Sequence, residues 1–235
     1  MKTIISTNDI SLYSSVKEDS VIKDSTDESI YFKEYLPAYM KPVDLGLPSG
    51  KQWAKGNLCA NSEEESGLYF QWGDTQGYTK EQIGVDKVFN WENYKWSVDG
   101  SNSNFSKYNS TDSKTVLDLE DDAVYATLGG NWRMPTVDDW RELYNNTERQ
   151  WTQINGVNGY KLTASNSNYI FLPAAGGGDG SSLYGEGSYG FVWSSSLYSV
   201  GSSYAFYCSF LSGGFSPDGN YSHRCYGFSV RGVLG

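Results

Sequence analysis

The sequence predicts an α+β protein with two helices ahead of a strand-rich C-terminal part. Two observations carry this prediction. A helical period appears only in two neighbouring stretches, 117–128 and 136–146, while after Thr147 the apolar residues come in short runs bounded by Gly, Asn and Ser. In addition, 26 Gly, 19 Tyr and 8 Trp in 235 residues describe a loop-rich globular chain with one sizeable core.

Residues 1–42 are polar and acidic and show no strong period; they read as an N-terminal arm or attachment segment, given some apolar character by Ile30, Tyr31, Phe32, Tyr35 and Leu36. The pattern changes at Val43. Gly46, Pro48 and Gly50 punctuate a hairpin-like turn, and Trp53 opens a strand. Gly67 to Gly73 is a second short strand. From Tyr78 to Thr111 runs a long loop pinned by Phe89, Trp91, Tyr94, Trp96 and Phe105. The first helix is expected over Leu117–Leu128. Leu119, Ala123 and Leu128 form its stripe, Asp118, Glu120, Asp121 and Asp122 sit at its positive end, and Gly129-Gly130 stop it. Thr136 and Asp139 form a variant capping box for the second, whose apolar face is Trp140, Leu143 and Tyr144. Strands follow at 160–163, 169–173, 191–193, 204–211 and 227–233, with a glycine loop over Gly176–Gly190.

Composition excludes several function classes. A net charge of −10 and a pI near 4.6 exclude phosphate-backbone recognition, so no nucleic-acid partner is expected. No run is apolar enough to insert in a membrane, and the first ten residues lack a signal-peptide core. Three cysteines, Cys59, Cys208 and Cys225, make neither a disulfide framework nor a zinc site; Cys208 and Cys225 read as buried thiols or as a pair, depending on strand neighbourhood. His223 is the only histidine, which removes a catalytic triad and a histidine metal site. Gly185–Gly190 spells G-x-G-x-x-G but precedes a strand, so it reads as a turn. Asp121/Asp122 and Asp138/Asp139 read as helix caps before acid–base pairs. No catalytic residue, metal or cofactor is expected.

The last 42 residues, from Ser194, differ from the rest. They contain no Lys, Glu, Gln, Trp or Met, types that make up about a fifth of residues 1–193, so about nine would be expected. A Gly/Ser-rich β-region with long turns is one explanation. The other is a contact surface of the antibody kind, with Tyr as rigid amphipathic area and Ser and Gly as adaptable contacts. In Ala205–Leu211, alternation places Phe206, Cys208 and Phe210 on one face and Tyr207, Ser209 and Leu211 on the other. The first face is expected to be core. Under the contact-surface reading Tyr204, Tyr207, Tyr221 and Tyr226 share one exposed face; otherwise the strand is buried on both sides.

VDLGLPSGKQWAKGNL, GLYFQWGDT, WRMPTVDDWREL, NGVNGYKLT, IFLPAAG, YGFVWSSS and GFSVRGV resemble, in order, a domain of gut Bacteroidales proteins and their phages. That domain is related to the formylglycine-generating-enzyme branch of the C-type lectin fold, and the resemblance runs from Val43 to the C-terminus. The tail is similar to variable proteins diversified by retroelements. Trp193–Leu197, Ala205, Phe210, Ser212-Gly213, Pro217, Arg224-Cys225, Gly227 and Ser229-Val230-Arg231 look like their fixed framework. Randomising the adenines of AAC codons gives NNC, which encodes every amino acid except Lys, Glu, Gln, Trp and Met, the types missing here.

The resemblance implies a C-type-lectin-like domain over 43–235, with short, mostly antiparallel twisted sheets and a variable region at about 194–233. The implied ligand-binding positions are Tyr198, Val200, Gly201, Ser203, Tyr204, Tyr207, Ser209, Leu211, Gly214, Ser216, Gly219, Tyr221, Ser222, His223, Tyr226 and Phe228. Phe228 shares its parity with Val230 and is alternatively core. The implied role is receptor recognition on a phage or prophage particle or outside the cell. The ligand is a protein or glycan of a bacterial surface, and the N-terminal arm meets phage structural proteins. A non-diversified adhesin or structural domain of the same fold is the alternative, and a degenerate formylglycine-generating-type enzyme a second. The tripeptides of calcium-dependent sugar-binding lectins are absent from this sequence, and Cys208 and Cys225 are too far apart to match the enzyme's cysteine pair.

Overall fold

A computed structural model describes residues 36–235, of which Pro37–Gly235 forms one compact unit. Residues 1–35, which hold most of the expected arm, lie outside the described residues. The compact unit takes in Pro42 as well, because the first strand, β1 (Pro42–Asp44), pairs with β2 (Gln52–Asn57).

The unit is α+β, with two α-helices and mainly antiparallel strands in small sheets. β3 (Tyr69–Phe70) and β4 (Trp132–Arg133) are very short. Helix α1 (Ala123–Leu128) is half the expected length, because Asp122 is its N-cap and accepts from the Val124 and Tyr125 N–H groups at 2.9 and 3.0 Å. A 3-10 turn, Leu119–Asp121, precedes it, and Leu119 is exposed, off the stripe expected of it. Gly129 stops the helix with φ +65°. Helix α2 (Val137–Asn145) follows the expected capping box: the Asp139 N–H donates to Thr136 Oγ1 at 3.2 Å while the Thr136 N–H donates to Asp139 Oδ2 at 2.7 Å.

β5 (Thr147–Ile154), β6 (Val157–Ala164) and β7 (Tyr169–Pro173) form an antiparallel meander. The segment expected to be a glycine loop contains a small hairpin, β8 (Gly177–Asp179) and β9 (Ser182–Tyr184). The chain then enters β10 (Tyr189–Leu197), β11 (Tyr204–Leu211), β12 (Gly214–His223), β13 (Phe228–Ser229) and β14 (Arg231–Leu234). One sheet runs β12-β11-β10-β13-β3, and another runs β1-β2-β14-β4. The tail therefore supplies most of the first sheet and a central strand of the second.

Two apolar clusters flank β10 and β11. Trp72, Tyr108, Val124, Trp193, Ala205 and Phe228 belong to one. Trp53, Trp140, Leu143, Val192, Cys208 and Phe210 belong to the other. β11 is thus buried on both sides over part of its length. Phe206 is only half-buried, while Ala205 is fully buried, the reverse of the expected parity at that end of the strand. Register shifts interrupt the alternation: β10 carries extra residues between Trp193 and Leu197, and β12 carries them between Ser216 and Asn220.

Candidate contact surface

The framework of the tail is held by hydrogen bonds that water does not reach. The bulged serines of β10 are gripped from two sides. The Ser195 N–H donates to Pro135 O at 2.8 Å, and the Leu117 N–H donates to Ser195 O at 3.0 Å. Trp193 Nε1 donates to Phe70 O at 2.8 Å, and Trp72 Nε1 donates to Ser194 O at 2.9 Å. Gly190 lets β10 lie against Phe210, because a Cβ at that position would run into the Phe210 ring. The β12 bulge is tethered to α2 by an ion pair between Asp218 and Arg141.

Two fully buried arginines anchor the far end. Arg231 donates to Asn57 Oδ1, Ala54 O and Phe171 O at 3.1, 3.0 and 2.7 Å. Arg224 lies 3.7 Å from the centre of the Phe105 ring and donates to Tyr108 O at 3.3 Å. Beside it, Gln71 Nε2 donates to Cys225 O at 2.8 Å and Lys87 Nζ donates to Gln71 Oε1 at 2.8 Å. The long aromatic loop therefore backs the tail through Phe105, Tyr108 and Lys87, a role its composition alone did not reveal.

On this frame sit the positions singled out above. Tyr198, Val200, Leu211, Gly219 and Tyr221 are exposed. Gly201, Ser203, Tyr204, Tyr207, Ser209, Gly214, Ser216, Ser222, His223 and Tyr226 are half-buried. Phe228 alone among them is buried. Its ring lies 4.4 Å from Trp193 and 5.1 Å from both Phe191 and Tyr207, so it is core and not a contact position.

The four tyrosines expected on one face divide into two groups. Tyr204 faces His223 across the β11–β12 ladder, and Phe206 faces Tyr221, so these side chains share one side. Tyr198 joins them with its ring centre 4.0 Å from Tyr221; Tyr204 stacks on His223 at 4.5 Å. Tyr207 pairs instead with Trp193 and Asn220 on the other side, where it meets Phe191 and Phe228. Tyr226 touches His223 at 5.5 Å and Phe228 at 6.3 Å, at the boundary of the two groups. An odd sequence separation between Tyr204 and Tyr207 sends them to opposite sides, which is why one common face does not form.

The His223 ring also lies 5.5 Å from Trp91. Burial lowers its pKa below the ordinary imidazole value, against the opposing pull of Asp179. Within the tail itself, charged side chains are few. Among residues 194–235 the ionisable carboxylate and guanidinium side chains are Asp218, Arg224 and Arg231; the two arginines are buried and Asp218 is paired.

The other chemical features have structural partners. Asp118, Glu120 and Asp121 converge on Lys107 Nζ at 2.7, 2.7 and 2.5 Å. Burial works to lower the Lys107 pKa, and hydrogen bonds to these carboxylates more than offset it, so the ammonium is held well above its ordinary range. Cys59, Cys208 and Cys225 are free thiols. Burial pushes Cys59 up to about 11 and Cys225 up to about 12, and raises Cys208 as well. Gly185 and Gly187 have φ of +71° and +78° in the turn between β9 and β10, so G-x-G-x-x-G opens no helix.

No family model, curated protein or solved structure matches the chain. Among the described residues no helix is long and apolar enough to cross a membrane.

Proposed function

We propose that this chain is a ligand-binding protein of the C-type-lectin-like fold whose β11–β12 hairpin and flanking loops form a hypervariable receptor-recognition surface, diversified by a retroelement and carried on a phage or prophage particle. Its role is binding, without catalysis, and its partner is a protein or glycan of a bacterial surface. The observation that carries this reading is the division of the tail by burial. Residues resembling the fixed framework are largely buried, among them Trp193–Ser195, Leu197, Ala205, Phe210, Arg224, Cys225, Gly227 and Ser229–Arg231; Ser196 and Pro217 are half-buried, and Ser212-Gly213 are exposed at the hairpin tip. Residues resembling the variable set reach the surface, Phe228 excepted.

Such a division is what side-chain replacement without unfolding requires, since surface substitutions away from buried networks usually shift stability by only about 0.5 kcal/mol. Tyr198, Tyr204, Tyr221 and His223 supply rigid aromatic area, with Ser203 and Ser222 as small polar residues and Gly201 as a small one in the same tail. Multivalent display would raise the avidity of modest single sites.

Sequencing the encoding locus tests the proposal. A near-identical repeat, differing from the tail-coding segment only at adenines and lying beside a reverse-transcriptase gene, is the expected finding. A locus without such a repeat removes diversification and leaves a fixed adhesin of the same fold.

A further inference from the structure

At the Leu211–Gly214 turn, away from the Tyr198–Tyr221 rings, a cavity of about 350 Å3 opens between β5, the turn before β10 and the hairpin tip. We infer that this cavity is a subsite for an uncharged saccharide, gripped between Trp151 and Tyr189 and read by Asn158, Ser188 and Ser212. Its size falls at the small end of ordinary ligand pockets.

The two aromatic walls are held by neighbours. Trp151 meets the Tyr160 ring edge-on at 5.4 Å, and Tyr189 stacks parallel to Phe191 at 6.0 Å while remaining 44% exposed. Such rings offer flat apolar faces, with a polar tip on each, to the C–H face of a pyranose at low entropic cost. Asn158 is oriented in advance: its Nδ2 donates to Gly187 O at 2.8 Å, and its Oδ1 accepts from Gln153 Nε2 at 2.7 Å. One amide N–H and one lone pair remain for a sugar hydroxyl. Ser188 and Ser212 add two hydroxyls that can donate or accept.

Charge selects the neutral class. No carboxylate, ammonium or guanidinium lines this cavity. A second cavity of about 570 Å3 shares Asn158 and Gly187 with it and is flanked by four carboxylates, Glu64, Glu65, Glu81 and Glu186, and by one ammonium, Lys80, which pairs with Glu186 at 2.9 Å. On a chain of net charge −10, and with carboxylates outnumbering the one ammonium there, this neighbouring cavity disfavours uronic and other acidic sugars. Leu211 is the single wall that belongs to the positions proposed as variable. The subsite otherwise stands independently of the diversification proposal.

The test is calorimetric titration of the full chain with cellotetraose, maltotetraose, mannotetraose, galactotetraose and polygalacturonate. At least one neutral tetraose is expected to bind with a Kd of about 1 mM or tighter. Trp151→Ala and Tyr189→Ala should each weaken it at least ~10-fold, and Trp151→Phe should keep most of the affinity, separating ring stacking from misfolding. Val98→Ser, at an exposed residue that lines neither cavity, should leave binding unchanged, as should salt at about 0.5 M. Absence of binding by every neutral tetraose would overturn the inference, as would preference for polygalacturonate or binding that survives both alanine variants. If Tyr221→Ser abolishes sugar binding while Trp151→Ala does not, the saccharide sits on the hairpin face and this cavity is not its site.

Discussion

Phe228 and Tyr221 belong to the same tail and to the same aromatic class, yet the structure separates them sharply. Phe228 is 1% exposed and packs between Trp193, Phe191 and Tyr207; Tyr221 is 46% exposed and touches only surface rings such as Tyr198 and Tyr204. Truncating a buried Phe to Ala removes its transfer free energy and leaves a cavity, together about 3–5 kcal/mol. For a unit of this size each kcal/mol moves Tm by about 2–4 °C, so Phe228→Ala should melt roughly 6–20 °C below the parent. Tyr221→Ala should cost less than ~1 kcal/mol. Urea unfolding followed by tryptophan fluorescence reads both, and equal m-values would establish that the same transition is compared. A Phe228→Ala variant within ~1 kcal/mol of the parent, or a Tyr221→Ala variant equally damaged, would refute the division of the tail into scaffold and surface.

Asp139→Asn should destabilise the unit by about 3 kcal/mol, because it removes the buried charge shared by Lys51 at 2.8 Å and Arg133 at 2.7 Å; thermal melting checks it. Burial tends to raise the Asp139 pKa, but hydrogen bonds from Arg133 and Lys51 hold it well below the carboxylate range, so its contribution is present above pH ~4 and is lost as pH falls below that value. The Asp139→Asn variant should therefore show a flatter acid limb in a stability–pH profile. Gly190→Ala should cost about 1–3 kcal/mol, since its Cβ would press on Phe210, and chemical denaturation measures the loss. Cys208 and Cys225 should react with a thiol reagent far more slowly in the native protein than in denaturant; rapid native labelling would contradict their buried, raised-pKa setting.

Local chemistry made part of the fold legible in the sequence. Thr136 and Asp139 announce α2 because a capping box is a property of four adjacent residues, and Gly129 announces the end of α1 because a left-handed backbone suits it. The start of α1 was harder to read. Asp118, Glu120 and Asp121 look like helix-start acids, but their carboxylates serve Lys107, a residue drawn in from the aromatic loop. The small β8–β9 hairpin was hidden because its glycines make room for distant side chains: a Cβ at Gly178 would collide with the Phe89 ring.

The proposed contact surface was legible as composition and only partly as geometry. Strand parity separates Cys208 and Phe210 from Ser209 and Leu211 correctly, but it fails at Ala205 and Phe206, beyond the bulge at Ser194–Ser196. Simple alternation assumes an uninterrupted ladder, and a bulge is fixed by long-range partners, here Pro135 and Leu117. The same limitation applies to Arg224 and Arg231. Nothing in their immediate sequence shows that they are buried against carbonyls and an aromatic ring contributed by residues 54–171.

The most direct measurement is binding of the fluorescently labelled chain to a panel of bacterial cells, comparing the parent with a Tyr198→Ser/Tyr221→Ser double variant of matched Tm. If the hairpin face is the contact surface, the parent decorates at least one strain and the double variant loses at least ~30-fold in apparent affinity, as expected when two central aromatic contacts are removed. Undiminished binding by the double variant would place recognition elsewhere on the molecule and contradict the central proposal.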